Sequence, residues 1–280
     1  MRATSQLIHR SLLLVYGADA FRFLQSLITN DLSITQEKID DSEVRVVYTY
    51  LLTPEGKYLF DFFIFYNHID SSFFIDVATT QKEWLIQYLL KYKLRSRIEI
   101  EDSILRIKYS MDVKDAYLYA KDPRCSKLGY RVVHSNLDDD SNFGNSYIED
   151  KYLFAIPDGP LDYHVNRSII LEYGARELNA LSYSKGCYVG QELITNIRTK
   201  GTVRKQLFGI SCANYQPTQP DECILINQQQ EVGRVLSYYI DASNVMHGIA
   251  MINTELYSAI HPTLLSNQEV QISTPPWRNV

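Results

Sequence analysis

From Tyr58 to Tyr66 every residue is aromatic or aliphatic except Asp61, and this run restricts the fold more than any other part of the chain. It falls well short of the roughly 18 consecutive apolar residues of a membrane span. A second β-rich run, Val44 to Leu52, precedes it across Thr53-Pro54-Glu55-Gly56, a turn signal. The spacing therefore predicts a β-hairpin, and Phe73 to Val77 supplies a third strand. Asp61 lies inside the hairpin, where a carboxylate is costly to bury without partners. It is therefore either outward-facing or functional.

Around this hairpin, strand and helix signals mix without a regular βαβ alternation, which predicts an α+β fold. Leu12 to Tyr16 reads as a strand, and Gly17-Ala18-Asp19 leads into a helix carrying Ala20, Phe21, Phe23, Leu24, Leu27 and Ile28. Thr29-Asn30-Asp31 closes it. Thr80 followed by Glu83 suggests a capping box, opening a helix with Trp84, Leu85, Tyr88, Leu89 and Tyr92 on one face. Leu105 to Tyr109, Ala116 to Ala120 and Tyr130 to His134 read as strands, and Asp138 to Asn145 as an acidic loop. Beyond Gly201, short β-like runs joined by Pro-, Gln- and Asn-containing turns predict a small barrel or sandwich. We place a boundary near residue 203, giving regions 1–203 and 204–280, the first holding two interleaved subdomains of which the second spans about 46–104.

An apolar fraction of 45% over 280 residues is enough for a substantial core. A net charge of −5 offers no general attraction for nucleic acid. Arg2 and Arg10 before Leu12 to Val15 imitate a secretory signal, but the apolar run is too short for one. We therefore expect a soluble protein with no membrane partner. Cys125, Cys187, Cys212 and Cys223 include no C-x-x-C pair, which fits a reducing cytoplasm. His9, His68, His134, His164, His247 and His261 lack metal-ligand spacing. No nucleophile elbow, dinucleotide fingerprint or P-loop occurs.

Residues 185 to 192 read Lys-Gly-Cys-Tyr-Val-Gly-Gln-Glu. Two glycines bracket Cys187 and permit close backbone approach, while Lys185 is positioned to favour its thiolate. On spacing alone, Cys187 is either a reactive group or soft-metal ligand, or a small residue in a tight turn.

This octapeptide resembles the signature of the YgfZ family, relatives of the glycine-cleavage T-protein. The likeness extends to Gly17-Ala18-Asp19-Ala20, Thr29-Asn30-Asp31, Asp122-Pro123-Arg124, Leu128-Gly129-Tyr130-Arg131, Ile156-Pro157-Asp158-Gly159, and Glu172 with Leu178 to Tyr183. It implies a folate-binding α+β body around a central opening, with a C-terminal β-barrel. It also implies tetrahydrofolate or a derivative as cofactor, with iron–sulfur carriers or client proteins as partners. Glu172 becomes the pterin candidate, since a carboxylate accepts paired N–H donors; otherwise it is a solvated helix-surface glutamate. Lys185, Gln191 and Glu192 of the signature join the cofactor-binding set. Asn30 and Asp31 line the opening or merely cap a helix.

Relatives resemble Gln-Glu-Leu-Thr-Ala-Arg after the signature, where this chain has Asn196. Arg204, with Arg198, Lys200 and Lys205, supplies the missing charge or forms a solvated face. Where T-proteins resemble Gly-Gly-Val-Ile-Asp-Asp, the present segment keeps Asp61 and replaces the second acid with Phe62. The resemblance thus implies a folate-binding factor that supports iron–sulfur enzymes through Cys187, one ligand of a transient shared cluster and not the holder of a metal alone. The alternative is an aminomethyltransferase with Asp61 at the substrate amine. A third reading is a module in tRNA modification, with an indirect effect through an iron–sulfur enzyme. The family-like block begins by residue 12, which leaves little room for a transit peptide and favours a bacterial cytoplasm.

Overall fold

The computed structural model describes residues 4–40, 42–113, 116–135, 146–216, 224–227, 229–257, 263–265 and 268–279. The loop read at Asp138 to Asn145 and the thiol of Cys223 lie outside the described residues. Strands β1 (Ser5–Gln6), β2 (Arg10–Tyr16), β3 (Val46–Leu52), β4 (Tyr58–Asn67), β5 (Ser72–Ala78), β6 (Glu99–Asp102), β7 (Arg106–Ser110), β8 (Leu118–Lys121) and β9 (Tyr130–His134) build two antiparallel sheets. Their orders are β3-β4-β5-β2-β6 and β1-β7-β9-β8.

The near-continuous apolar character of β4 has a simple origin: both faces of its sheet are covered. On one face Phe60, Phe62 and Ile64 pack with Phe23, Leu24 and Leu27 of helix α1 (Ala20–Leu27) and Leu85 and Leu89 of α2 (Lys82–Lys93). On the other, Tyr58, Phe63 and Phe65 meet Ile107, Leu118 and Val133 of the second sheet and Tyr147 of α3 (Ser146–Leu153). The capping box expected at Thr80 does not form. Thr79 to Gln81 makes its own 3₁₀ turn, so α2 starts at Lys82 with Gln81 at the N-cap and no side-chain cap bond.

Two short elements follow, α4 (Gly159–Asp162) and α5 (Gln191–Lys200). Then β10 (Lys205–Ala213), β11 (Ile224–Asn227), β12 (Gln230–Ile240), β13 (Val245–Asn253), β14 (Thr263–Leu265) and β15 (Gln268–Ser273) close into a barrel in the order β10-β13-β12-β11-β14-β15. Its interior is filled by Phe208, Leu225, Val235, Met246, Ile252 and Leu265. The fold is thus α+β with a C-terminal barrel. Sequence reading passed over β1, β6 and β14, all too short to carry an alternation of their own.

A buried ion network fastens the two sheets. Arg10 of β2 donates to Asp76 of β5 at 2.7 Å and to Asp158 at 2.9 Å. Arg131 of β9 reaches Asp76 and, at 3.2 Å, Asp122. Arg124 forms a fork on Asp122 at 3.0 and 2.8 Å. The arginines sit over the ring of Phe63, Arg131 closest at 3.6 Å from its centroid. Lys151 of α3 pairs with Asp162 at 2.9 Å, and the hydroxyl of Ser237 on β12 donates to the same carboxylate, so the network reaches the barrel. Burial disfavours every one of these charges, yet Asp76 and Asp158 outweigh it and hold Arg10 above its ordinary range. Asp158 is correspondingly held well below the usual carboxylate range, because Arg10 and its neighbours overcome desolvation.

Removing one member leaves its partners charged and unpaired, which costs about 3–5 kcal/mol at a buried site. Asp76→Ala, which leaves Arg10 with Asp158 alone and Arg131 with Asp122 alone, is expected to lower stability by up to about that amount. Urea unfolding with an unchanged m-value is the measurement; a loss within the error of the wild-type midpoint would show that the network contributes nothing.

Candidate functional site

The signature loop rests on the β3–β4 turn. Gly56 and Gly190 both have positive φ, 80° and 81°, and lie against each other, so that a Cβ on Gly190 would collide with Thr53 O and the side chain of Leu52. Glycine at 190 is therefore a packing requirement. Gly186 differs, because nothing lies within 4 Å of the position its Cβ would take. Between them Cys187 is exposed, whereas Cys125 and Cys212 are buried.

Lys185 is not spent on Cys187. Its Nζ donates to the carbonyls of Gln25, Ile28 and Asn30 at 2.7, 2.6 and 2.8 Å, capping the C-terminal end of α1. Burial lowers this ammonium to about 8, opposed by the charge of Asp31. Asn30 is equally engaged: its Nδ2 donates to Tyr48 O and Asn179 O, and its Oδ1 accepts from the Asp31 amide. The Asp31 carboxylate accepts from Gln25 and from the amide and hydroxyl of Ser33, the arrangement of a local cap. Gln191 accepts from the Tyr188 amide at 3.3 Å, and Glu192 stands exposed in the first turn of α5. Asn30, Asp31, Lys185 and Gln191 thus surround the base of the Cys187 loop. Arg204 lies elsewhere, paired with Glu255 at 3.2 Å on the barrel surface.

Asp61 does not face outward. It is fully buried and accepts from Tyr58 at 2.7 Å, Tyr48 at 3.1 Å and the Gly159 amide at 3.2 Å. Burial and the nearby Asp158 raise its pKa against the pull of Arg10. A lattice of phenols covers it: Tyr58 stacks on Tyr163 at 4.5 Å, Tyr163 on Tyr173 at 4.5 Å, and the hydroxyls of Tyr50 and Tyr163 meet at 2.7 Å.

Glu172 opens onto a different space. It lies in the 3₁₀ turn Ile170–Tyr173 and lines a cavity of about 550 Å³ between this turn and the barrel, together with Arg167, Ser168, Tyr173, Lys205 and Arg234. Burial raises the pKa of its carboxyl, opposed by Lys205 and Lys57. A reduced folate needs an acceptor for the pterin N–H groups and cations for its glutamate carboxylates. The cavity presents both, so its donor set fits. Asn30 and Asp31 fit less well, since their polar atoms are already committed.

The largest polar feature, the Arg10–Arg124–Arg131 network, escaped sequence reasoning as a set of partners. Its signal was present: Asp122 and Arg124, Arg131 and Asp158 all fall within the family-like blocks quoted above.

No family model matches the chain. The chain is 26% identical over 300 residues to the human mitochondrial iron–sulfur cluster assembly factor IBA57, covering 96% of this chain and 83% of that protein. The mitochondrial IBA57 homologue of Pyricularia oryzae is 30% identical over 226 residues, covering 74% of this chain, and that of Neurospora crassa is 29% identical over 234 residues, covering 72%. The chain spans only about half the length of these two fungal relatives, 56% and 52%. Among solved structures, the glycine cleavage system aminomethyltransferase T of Bartonella henselae superposes with a TM-score of 0.73 at 13% identity, covering 99% of this chain and 87% of that one. The expected bacterial cytoplasm is overturned by these relatives, which are named as mitochondrial proteins. The lack of a C-x-x-C pair, on which that expectation rested, does not identify a compartment. The T-protein-like fold and the IBA57 relatives agree with the YgfZ and glycine-cleavage T-protein-like family that the Lys185-to-Glu192 signature resembles.

Proposed function

We propose that this chain is an accessory factor in iron–sulfur cluster assembly that offers Cys187 as a thiolate ligand to a cluster shared with a carrier protein. The observation that carries the reading is the exposure of Cys187, in contrast to the burial of Cys125 and Cys212, on a loop seated by Gly190 and by the Lys185 cap. Thiolate sulfur is the ligand such clusters select. One cysteine supplies one ligand, so the remaining ligands belong to the partner, and the thiol proton leaves to solvent as the bond to iron forms. The names of the relatives agree with a role in cluster assembly. An effect on tRNA modification is then indirect, through an iron–sulfur enzyme.

Folate binding is the second part of the proposal, with Glu172 accepting from the pterin and Lys205, Arg167 and Arg234 facing the carboxylates. Bound folate would supply one-carbon carrier chemistry. The chain's own residues bind and orient it, and Tyr173 forms an apolar wall. The aminomethyltransferase alternative requires Asp61 beside a substrate amine; its complete burial under Tyr48 and Tyr58 counts against that reading.

Complementation of a host lacking the gene tests the thiol. Wild type is expected to restore [4Fe–4S] enzyme activity and Cys187→Ala to leave it at the level of the deletion; equal rescue by both would make Cys187 structural. Gly190→Ala is expected to weaken rescue while leaving the thiol in place, because the loop must shift to admit the Cβ; undiminished rescue would show that loop position is immaterial. For folate, the accepting form of Glu172 is the carboxylate, so affinity rises with pH through a pKa above the ordinary 4.5. Glu172→Gln is expected to bind more weakly and to lose that pH dependence in a titration, whereas an unchanged pH profile would remove Glu172 from the site.

A further inference from the structure

A second cavity, of about 640 Å³, shares no lining residue with the Glu172 site. The turn Asp122 to Lys127 walls one side, Arg176 to Asn179 another, and the C-terminal 3₁₀ turn Pro276–Asn279 a third. Trp277 anchors that last wall. Its indole N–H donates to Phe154 O at 2.9 Å, and its ring lies so close over Gly174, at φ 75°, that a Cβ there would clash.

The charges in this cleft are unbalanced. Asp122 and Arg124 neutralise each other. Lys127, Arg176 and Arg278 remain, and no carboxylate among the described residues forms an ion pair with any of them. Lys127 and Arg176 are exposed at the rim. Arg278 is partly buried, donates to Leu207 O and lies 4.4 Å from the Phe208 ring centroid. Burial lowers its pKa, with Glu177 the charge that opposes the shift. Counting Glu177, the cleft carries an excess of two positive charges in a chain whose net charge is −5. The buried charges of the Arg10–Arg124–Arg131 network are paired with carboxylates; here three cations line one cleft.

We infer that this cleft binds a small phosphorylated molecule, its phosphoryl group between Lys127, Arg176 and Arg278 and its remainder along Pro276 and Trp277. A phosphoryl group brings about −1.5 to −2 on one centre, which cancels the excess, and its oxygens suit guanidinium forks. A single carboxylate brings half of that. Bound there, the ligand joins the C-terminal turn to the body and so reinforces the seating of the barrel.

Trp277 reports on the site directly. The chain has two tryptophans, so Trp84→Phe leaves Trp277 as the sole tryptophan, excited selectively at wavelengths beyond the tyrosine absorption band. In that background, titration with pyrophosphate at constant ionic strength is expected to give a saturable change in fluorescence and a rise in melting temperature. Lys127→Ala with Arg176→Ala should weaken binding about tenfold or more, equal to about 1.4 kcal/mol. Glu177→Gln, which removes the opposing charge, should tighten it. No saturable change, an equal response from the double variant, or a response reproduced by sodium chloride would overturn the site. Citrate binding as tightly as pyrophosphate would overturn the phosphoryl assignment.

Discussion

The stacking of three buried arginines over Phe63 governs the architecture. Each guanidinium loses its water on folding, and carboxylates replace it, helped by the Asp76 and Pro157 carbonyls and the Tyr147 hydroxyl. Those carboxylates arrive from β5, from the turn after β8 and from the residue before α4. The arginines arrive from β2, the same turn and β9. No segment satisfies itself except Asp122 with Arg124, so the network forms only when both sheets and the α3–α4 region are in register. Apolar packing of the same volume would hold the sheets together without dictating their alignment. One atom stands out: Nη2 of Arg131 is buried and has no hydrogen-bond partner among the described residues.

From this network a chain of contacts runs to the signature loop. Asp158 shares its turn with Gly159, whose amide donates to Asp61. Asp61 accepts from Tyr48, the Tyr48 carbonyl accepts from Asn30, and the Asn30 carbonyl accepts from Lys185, two residues from Cys187. The path is a frame of fixed hydrogen bonds, and it explains how a loop with an exposed thiol can be held without burying the thiol. Asp61 belongs to this frame as an acceptor under a roof of phenols, a position suited to support more than to substrate contact.

Two of the signature's residues do different work from their neighbours. Lys185 looked, in one dimension, like a cation for Cys187, since two positions separate them. In three dimensions the longer side chain turns to the end of α1, where three carbonyls have no intrahelical partner. Gly190 looked like general backbone freedom and is instead a specific fit to the β3–β4 turn. Glu172 is half-buried at the edge of the barrel, a placement that periodicity cannot distinguish from a solvated helix face.

The sequence by itself determined the hairpin around Asp61, the α1 and α2 faces, the α+β class and the β-rich C-terminal region, because these depend on local alternation and turn chemistry. Its signature also marked the loop that carries Cys187. Ion pairing was decided by tertiary structure alone: Arg10 and Asp158 are far apart in the chain, and no spacing rule connects them. The fate of Asp61 was decided there too, since burial of a carboxylate depends on whether Tyr48, Tyr58 and Gly159 converge on it. Local patterns fix which face of a segment is apolar; which polar groups then meet across those faces follows only from how the faces are stacked.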